Sequence, residues 1–280
     1  MINYPDINPV AFSIGSIQIR WYGISYIIAF VFTLLLGAYK IRKARKNNWP
    51  AIFKDYEEYS DLVFYGALGV IIGGRLGNFL FYDFKVLFTD PLQVFKVWQG
   101  GMAFHGGLLG VAVAGLIFAK RKGKNFFDLG DFIAPIVPIG LGLVRLANFI
   151  NGELWGKVTN VSWGMIFPYA GVLPRHPSQL YEFFLEGVVL FIILWTYSLK
   201  RRPRMAISGM FVLFYGIFRF IIEFFREPDA NLGYLAFGWL TMGQVLSLPM
   251  ILIGGFMIYY AYKYNKVILK TNSELEKTSS

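Results

Sequence analysis

GLVRLANFINGELWG, residues 142–156, closes a long apolar stretch with four strongly polar side chains, Arg145, Asn148, Asn151 and Glu153, and ends on Gly156. An arginine and two amides at the edge of a hydrocarbon layer are costly to place and seldom idle. Arg145 and Asn148 stand three apart and therefore share one helix face. The helical pattern fails after Asn151-Gly152, which leaves Glu153 on a loop just beyond. The stretch reads as the end of a membrane helix carrying a polar site at the membrane boundary.

The rest of the chain agrees with that class. Of 280 residues, 56% are hydrophobic and 16% charged, against roughly 25% charged in a soluble chain. The net charge of +10 does not point to nucleic acid, because the basic residues cluster in short loops between apolar segments, where they act as topology signals. There is no cysteine, which excludes disulfides, thiolate metal sites and a cysteine nucleophile. With only His105 and His176 available, a multi-histidine metal site is not expected, and no cofactor is called for. The N-terminus lacks the basic segment and cleavage-like motif of a removable signal peptide.

Seven segments, near 20–39, 60–82, 102–120, 129–150, 178–199, 208–226 and 240–262, approach the roughly 20 apolar residues needed to cross a bilayer. Basic clusters follow the first, third, fifth and seventh: Lys40 to Lys46, Lys120 to Lys124, Lys200 to Arg204, and Lys263 with Lys266 and Lys270. The loops 83–101, 151–177 and 227–239 carry only Lys85, Lys96, Lys157 and Arg175. The positive-inside rule then predicts an all-α polytopic membrane protein of seven spans, N-terminus outside and C-terminus cytoplasmic. It is read as one domain, with an interfacial arm over 1–19 and a disordered tail over 271–280.

Within that frame, Gly69, Gly73 and Gly77 make a small-residue stripe for close helix packing, and Gly106, Gly110 and Ala114 repeat it. Pro135 and Pro138 predict a kink in the fourth segment. Gln179, Glu182 and Glu186 align at the start of the fifth, and Tyr215, Arg219, Glu223 and Arg226 form a stripe on the sixth. The orientation brings Tyr22, Arg75, His105, Arg145, Glu182 and Arg219 to the outer leaflet. Arg75, Arg145, Arg219 and Arg226 outnumber their plausible carboxylate partners, so a cavity with surplus guanidinium would seek an anion. The planar fork of arginine suits phosphate, and an anionic phospholipid headgroup fits depth and charge together.

Structural readings stand beside these. Arg145 and Asn148 fit an interhelical clamp, Arg219 an ion pair with Glu223, Tyr22 an aromatic belt, and Glu182 and Glu186 partners for a neighbouring arginine. His105, flanked by Gly106-Gly107 at an outward helix end, leans toward function.

The residues 142–156 resemble the signature of the bacterial prolipoprotein diacylglyceryl transferase family, in which arginine, asparagine, phenylalanine, asparagine, glutamate and glycine recur at the spacing of Arg145, Asn148, Phe149, Asn151, Glu153 and Gly156. Val144 stands where the signature has glycine. The likeness extends to RWYG at 20–23, GGRLG at 73–77, GGMAFHGG at 100–107, GDFIAP at 130–135, LPRHPSQLYE at 173–182 and YGIFRFIIEFFREPD at 215–229. It implies a transferase of the bacterial cytoplasmic (inner) membrane that moves the diacylglyceryl group of phosphatidylglycerol onto the lipobox cysteine of a prolipoprotein signal peptide. Its partners would be that lipid, the prolipoprotein and the bilayer, with no metal and no nucleic acid. His105, Arg145 and Arg219 are its expected catalytic residues. Tyr22, Arg75, Asn148, Asn151, Glu153, Gly156, Tyr215 and Glu223 are the expected substrate-binding residues. Whether His105 or an arginine-assisted thiolate handles the proton stays open. The alternatives are an anionic-lipid transporter, whose polar groups should reach both leaflets, and a lipid-binding assembly factor.

Overall fold

The computed structural model describes residues 2–5, 7–81, 84, 86–96, 101–228 and 233–264. The tail 271–280, Lys266, Lys270 and Lys85 lie outside them. Helices dominate: α1 Trp21–Lys46, α2 Tyr56–Phe81, α3 Val86–Thr89, α4 Phe104–Arg121, α5 Phe126–Ile133, α6 Val137–Ile150, α7 Ser178–Glu182, α8 Leu190–Tyr197, α9 Ala206–Ile222 and α10 Met242–Tyr264. Each of the seven expected segments contains helix, though the helices do not keep the expected bounds: α4 begins at Phe104 and α9 ends at Ile222. Four helical stretches, 21–46, 56–80, 178–197 and 242–264, are long and apolar enough to cross a membrane, and the bent pair α5–α6 makes a fifth if taken as one span. Many of their apolar side chains face outward, among them Leu35, Ile72, Ile253 and Leu252. In water such exposure would be unfavourable, whereas in lipid it costs nothing.

The chain divides into two compact units, residues 36–129 and residues 1–35 with 130–280. In the first, α2 and α4 pack along the predicted small-residue stripe. A Cβ on Gly77 would sit 2.6 Å from Gly106 Cα, and one on Gly69 would sit 2.6 Å from the Gly110 carbonyl oxygen. The two backbones therefore touch, which only glycine allows. Asp55 caps α2 by accepting from the Glu58 amide at 2.8 Å.

The second unit holds the end of α5 and all of α6 to α10, together with the N-terminal strands and the start of α1. The predicted kink is present: α5 and α6 diverge by 55° across the break that contains Pro135. Between α7 and α8 the helix widens into a π-helical segment, Phe183–Val189. There Gly187 faces Gly142 of α6 so closely that a Cβ would lie 2.8 Å from Gly142 Cα. Helix α9 begins under Asp131, which accepts from the Met205 and Ser208 amides, each at 2.7 Å. A carboxylate at a helix N-terminus both caps free amides and meets the positive end of the dipole.

The N-terminal arm carries secondary structure that an all-α reading does not include. Strand β1, Ile2–Asn3, pairs in parallel with β4, Met165–Ile166, and β2, Val10–Ile14, folds back on β3, Ile17–Arg20. Gly15 turns this hairpin with φ of +60°, a conformation glycine adopts without strain. The Tyr4 hydroxyl lies 2.6 Å from the Phe149 carbonyl and 2.8 Å from that of Ile150, so the arm is pinned to the end of α6.

Candidate functional site

Two polar clusters meet at the ends of α6, α7 and α9. The first is centred on Glu182, wholly buried in the last turn of α7. One of its oxygens lies 3.0 Å from Arg145 Nε and the other 2.8 Å from Arg219 Nη1, so a single carboxylate bridges two helices' arginines. Glu186, four residues on and also buried, lies 3.3 Å from Arg145 Nη2 and 3.9 Å from Arg219 Nη1. Arg219 pairs with Glu223 as well, and Arg226 Nη1 approaches Glu223 at 3.4 Å. Thr241 donates to the remaining Glu223 oxygen at 2.6 Å. Thr241 is itself held in a reciprocal cap: its amide donates to Gln244 Oε1 at 3.0 Å and its hydroxyl accepts from the Gln244 amide at 3.3 Å.

This overturns the expected surplus of positive charge. Arg145, Arg219 and Arg226 are matched by Glu182, Glu186 and Glu223, three against three, because Glu182 and Glu186 turn inward as arginine partners. Arg226 also stands beyond the end of α9, bridging to Gly156, and does not continue the helical stripe. The arginines nevertheless keep capacity. Neither Arg145 Nη1 nor Arg219 Nε has a hydrogen-bond partner among the described residues. Their side chains are 15% and 13% exposed, while Glu182 and Glu186 are fully enclosed. Each guanidinium therefore keeps an N–H donor of fixed geometry, and each side chain retains some exposure.

The second cluster surrounds Glu153. Its Oε1 accepts from the Tyr22 hydroxyl at 2.7 Å and from Asn148 Nδ2 at 3.0 Å, and Asn148 also donates to the Tyr22 oxygen. Gln179 Nε2 reaches the Glu153 carbonyl at 2.5 Å, and Ser178 Oγ reaches that of Leu154 at 3.0 Å. The chain turns sharply to present Glu153: Gly152 has φ of +63° and Leu154 of +58°. Sequence spacing put Tyr22, Asn148 and Glu153 on separate elements; the structure closes them into one triangle.

Other expected site residues are placed differently. Asn151 caps α6 and lines an open groove of about 340 Å³ with Tyr4, Asn8 and Tyr169. Gly156 has a packing role: a Cβ there would meet the Phe225 carbonyl oxygen at 2.5 Å and His176 Cβ at 2.7 Å. Tyr215 stacks on Phe211 at 5.9 Å and packs against the apolar cluster of Leu190 and Leu194, yet it also lies within electrostatic range of Arg145, Arg219, Glu182 and Glu186 and so borders the first cluster. In the other unit, buried Arg75 donates to the carbonyls of Gln93 at 2.7 Å, Lys96 at 2.9 Å, Gly101 at 3.1 Å and Val94 at 3.2 Å. Four carbonyls on one guanidinium describe a loop clamp. His105 is the second residue of α4 and is exposed.

Glu182, Glu186, Gln179 and Thr241 belong to the clusters without having been among the expected site residues. Their signals were legible: the i, i+3, i+7 spacing of QLYEFFLE, and the Thr-x-x-Gln capping pattern at 241–244. His176 packs its Nδ1 3.1 Å from the Tyr181 hydroxyl in the adjoining loop. Burial, with the Lys157 charge adding to it, holds its imidazole below the ordinary value, so it is neutral at pH 7.

Fold and site together define a helical membrane protein with an arginine–carboxylate network gathered at its helix ends. Comparison with known proteins narrows that class. A family model described as prolipoprotein diacylglyceryl transferase matches residues 9–260. The chain is 56% identical over 266 residues to the phosphatidylglycerol–prolipoprotein diacylglyceryl transferase of Coxiella burnetii (strain RSA 331 / Henzerling II), covering 95% of this chain and all of the relative. It is 57% identical over 272 residues to the protein so named from Oleidesulfovibrio alaskensis, covering 97% of this chain and all of the relative. With that of Legionella pneumophila (strain Lens) it shares 56% over 254 residues, or 91% and 97% of the two chains. The chain belongs to the prolipoprotein diacylglyceryl transferase family, a family of transferases.

Proposed function

We infer that this protein transfers the diacylglyceryl group of phosphatidylglycerol to the lipobox cysteine of a prolipoprotein, the first step in lipoprotein maturation. In that step the cysteine sulfur forms a bond to the glyceryl carbon. The bond from that carbon to the phosphate oxygen breaks, and glycerol phosphate leaves with the electron pair. The thiol proton passes to a base. The observation that carries the reading is the pair Arg145 and Arg219, fixed on one bed of buried carboxylates with unspent N–H donors, in a chain with this family membership.

The carboxylates hold both guanidinium planes before substrate arrives. Donors fixed in advance stabilise charge developing on a leaving phosphate without reorganising during the reaction. Glu153, Asn148 and Tyr22 would orient the headgroup beside them. His105 is the proposed proton acceptor, imidazole being suited to take a thiol proton near neutral pH. The family match supports the transferase over a lipid transporter or a passive lipid-binding factor.

The membrane arrangement completes the proposal. The seven helical segments and the alternation of basic loops support seven spans, with the N-terminus outside, the C-terminus cytoplasmic and the active site toward the outer leaflet of the bacterial cytoplasmic membrane. The family model crosses both compact units, which supports reading 1–280 as one transferase domain.

Thiol-dependent release of glycerol phosphate from phosphatidylglycerol in proteoliposomes tests the reading. Arg145→Ala and Arg219→Lys should each lower it at least about 100-fold, the scale of losing an electrostatic donor. Near-normal turnover in both variants would remove the phosphate clamp.

A further inference from the structure

Five buried side-chain polar atoms lack a hydrogen-bond partner among the described residues: Asn148 Oδ1, Gln179 Oε1, Glu182 Oε2, Glu186 Oε1 and Gln244 Nε2. Four of the five are acceptor oxygens of the two clusters around Glu153 and Glu182. The two carboxylate oxygens still lie near cations, Glu182 Oε2 being 3.0 Å from Arg145 Nε, within ion-pair distance though off the hydrogen-bond axis. The two amide oxygens have no such compensation. Gln179 is fully buried and Asn148 is 3% exposed. A buried acceptor left without a donor is expensive, so two in one neighbourhood call for an explanation.

Their orientation is fixed by what the amide nitrogens do. Asn148 Nδ2 donates to Tyr22 and to the Glu153 carboxylate, and flipping the amide would turn its oxygen onto a carboxylate oxygen. Gln179 Nε2 donates to the Glu153 carbonyl, and a flip would again set oxygen against oxygen. Both carbonyl oxygens therefore ask for a donor that the described residues do not provide. Gln179 stands one helical turn before Glu182, whose partners Arg145 and Arg219 keep free donors suited to phosphate. Unpaired acceptors of one cluster thus adjoin unpaired donors of the other, linked through Gln179 and Glu182 on α7. A phosphate ester bearing hydroxyl groups two and three carbons from the phosphate presents the complementary order.

We propose that Gln179 Oε1, together with Asn148 Oδ1, accepts hydrogen bonds from the free hydroxyls of the donor lipid's glycerol headgroup, which makes Gln179 a specificity-determining residue. This rests on the transferase reading above. A lipid with the same phosphate and no headgroup hydroxyls leaves both acceptors unpaired and is the poorer substrate.

The test measures kcat/KM with a thiol peptide acceptor for phosphatidylglycerol and for phosphatidylpropanol of the same acyl chains. The wild-type chain should favour phosphatidylglycerol about ten-fold, the scale of one or two net hydrogen bonds. Gln179→Met, similar in length, removes both the acceptor and the donor to the Glu153 carbonyl, so turnover should fall on both lipids but about ten-fold further on phosphatidylglycerol, which erases the preference. Gln179→Asn, which withdraws the acceptor by one methylene, should behave the same way if Gln179→Met folds poorly. An equal fall on both lipids would mean that Gln179 only braces the Glu153 loop and would overturn the proposal. Wild-type turnover of both lipids without preference would overturn it too, leaving the transferase reading intact. Wild-type inactivity toward both would instead sink the transferase reading, and this inference with it.

Discussion

Glu182 carries more of the site than any single arginine. It is fully buried, and its two oxygens are divided between Arg145 and Arg219. A buried ion pair adds little over an apolar core, but removing one member strands the others, at a cost of roughly 3–5 kcal/mol. Glu182→Gln should therefore destabilise the detergent-solubilised protein by about that amount and lower activity together with it, as read by thermal unfolding and glycerol phosphate release. Full stability would mean that water or Glu186 replaces the bridge. Glu223 is better insured, since Thr241, Arg219 and Arg226 all hold it.

At the scale of elements, the contact of α2 with α4 depends on absent side chains. Gly77→Ala places a methyl 2.6 Å from Gly106 Cα, backbone that cannot swing aside, and overpacking of this kind costs roughly 1–3 kcal/mol. Gly66, on the same helix, has nothing within 4 Å of its would-be Cβ. Gly66→Ala should be neutral or stabilising by about 0.4–1 kcal/mol. Melting the two variants side by side checks this, and equal effects would contradict the packing. The glycine spacing of 69, 73 and 77 and the prolines at 135 and 138 were legible because backbone rules act locally. The strand pairing of residues 2–3 with 165–166 was not, because it depends on two segments more than 160 residues apart. The pairing of Arg219 with Glu223 and of Glu182 and Glu186 with neighbouring arginines was legible from spacing along single helices. Arg226, by contrast, leaves the stripe once α9 ends at Ile222, which the spacing alone does not show.

For the whole molecule, the remaining chemical question is where the thiol proton goes. His105→Asn should lose more activity at mildly acidic pH than at alkaline pH. A cysteine thiol titrates near 8.5, so at higher pH more of the acceptor peptide arrives already deprotonated and needs no base. A loss independent of pH would assign His105 a structural role. The central claim concerns the overall reaction, and incubation of the reconstituted protein with phosphatidylglycerol and a lipobox peptide tests it most directly. Mass spectrometry should show the peptide heavier by one diacylglyceryl group, absent when the cysteine is replaced by serine and when Arg145 is replaced by alanine. No adduct in either detergent or liposomes, from protein that remains folded, would contradict the account.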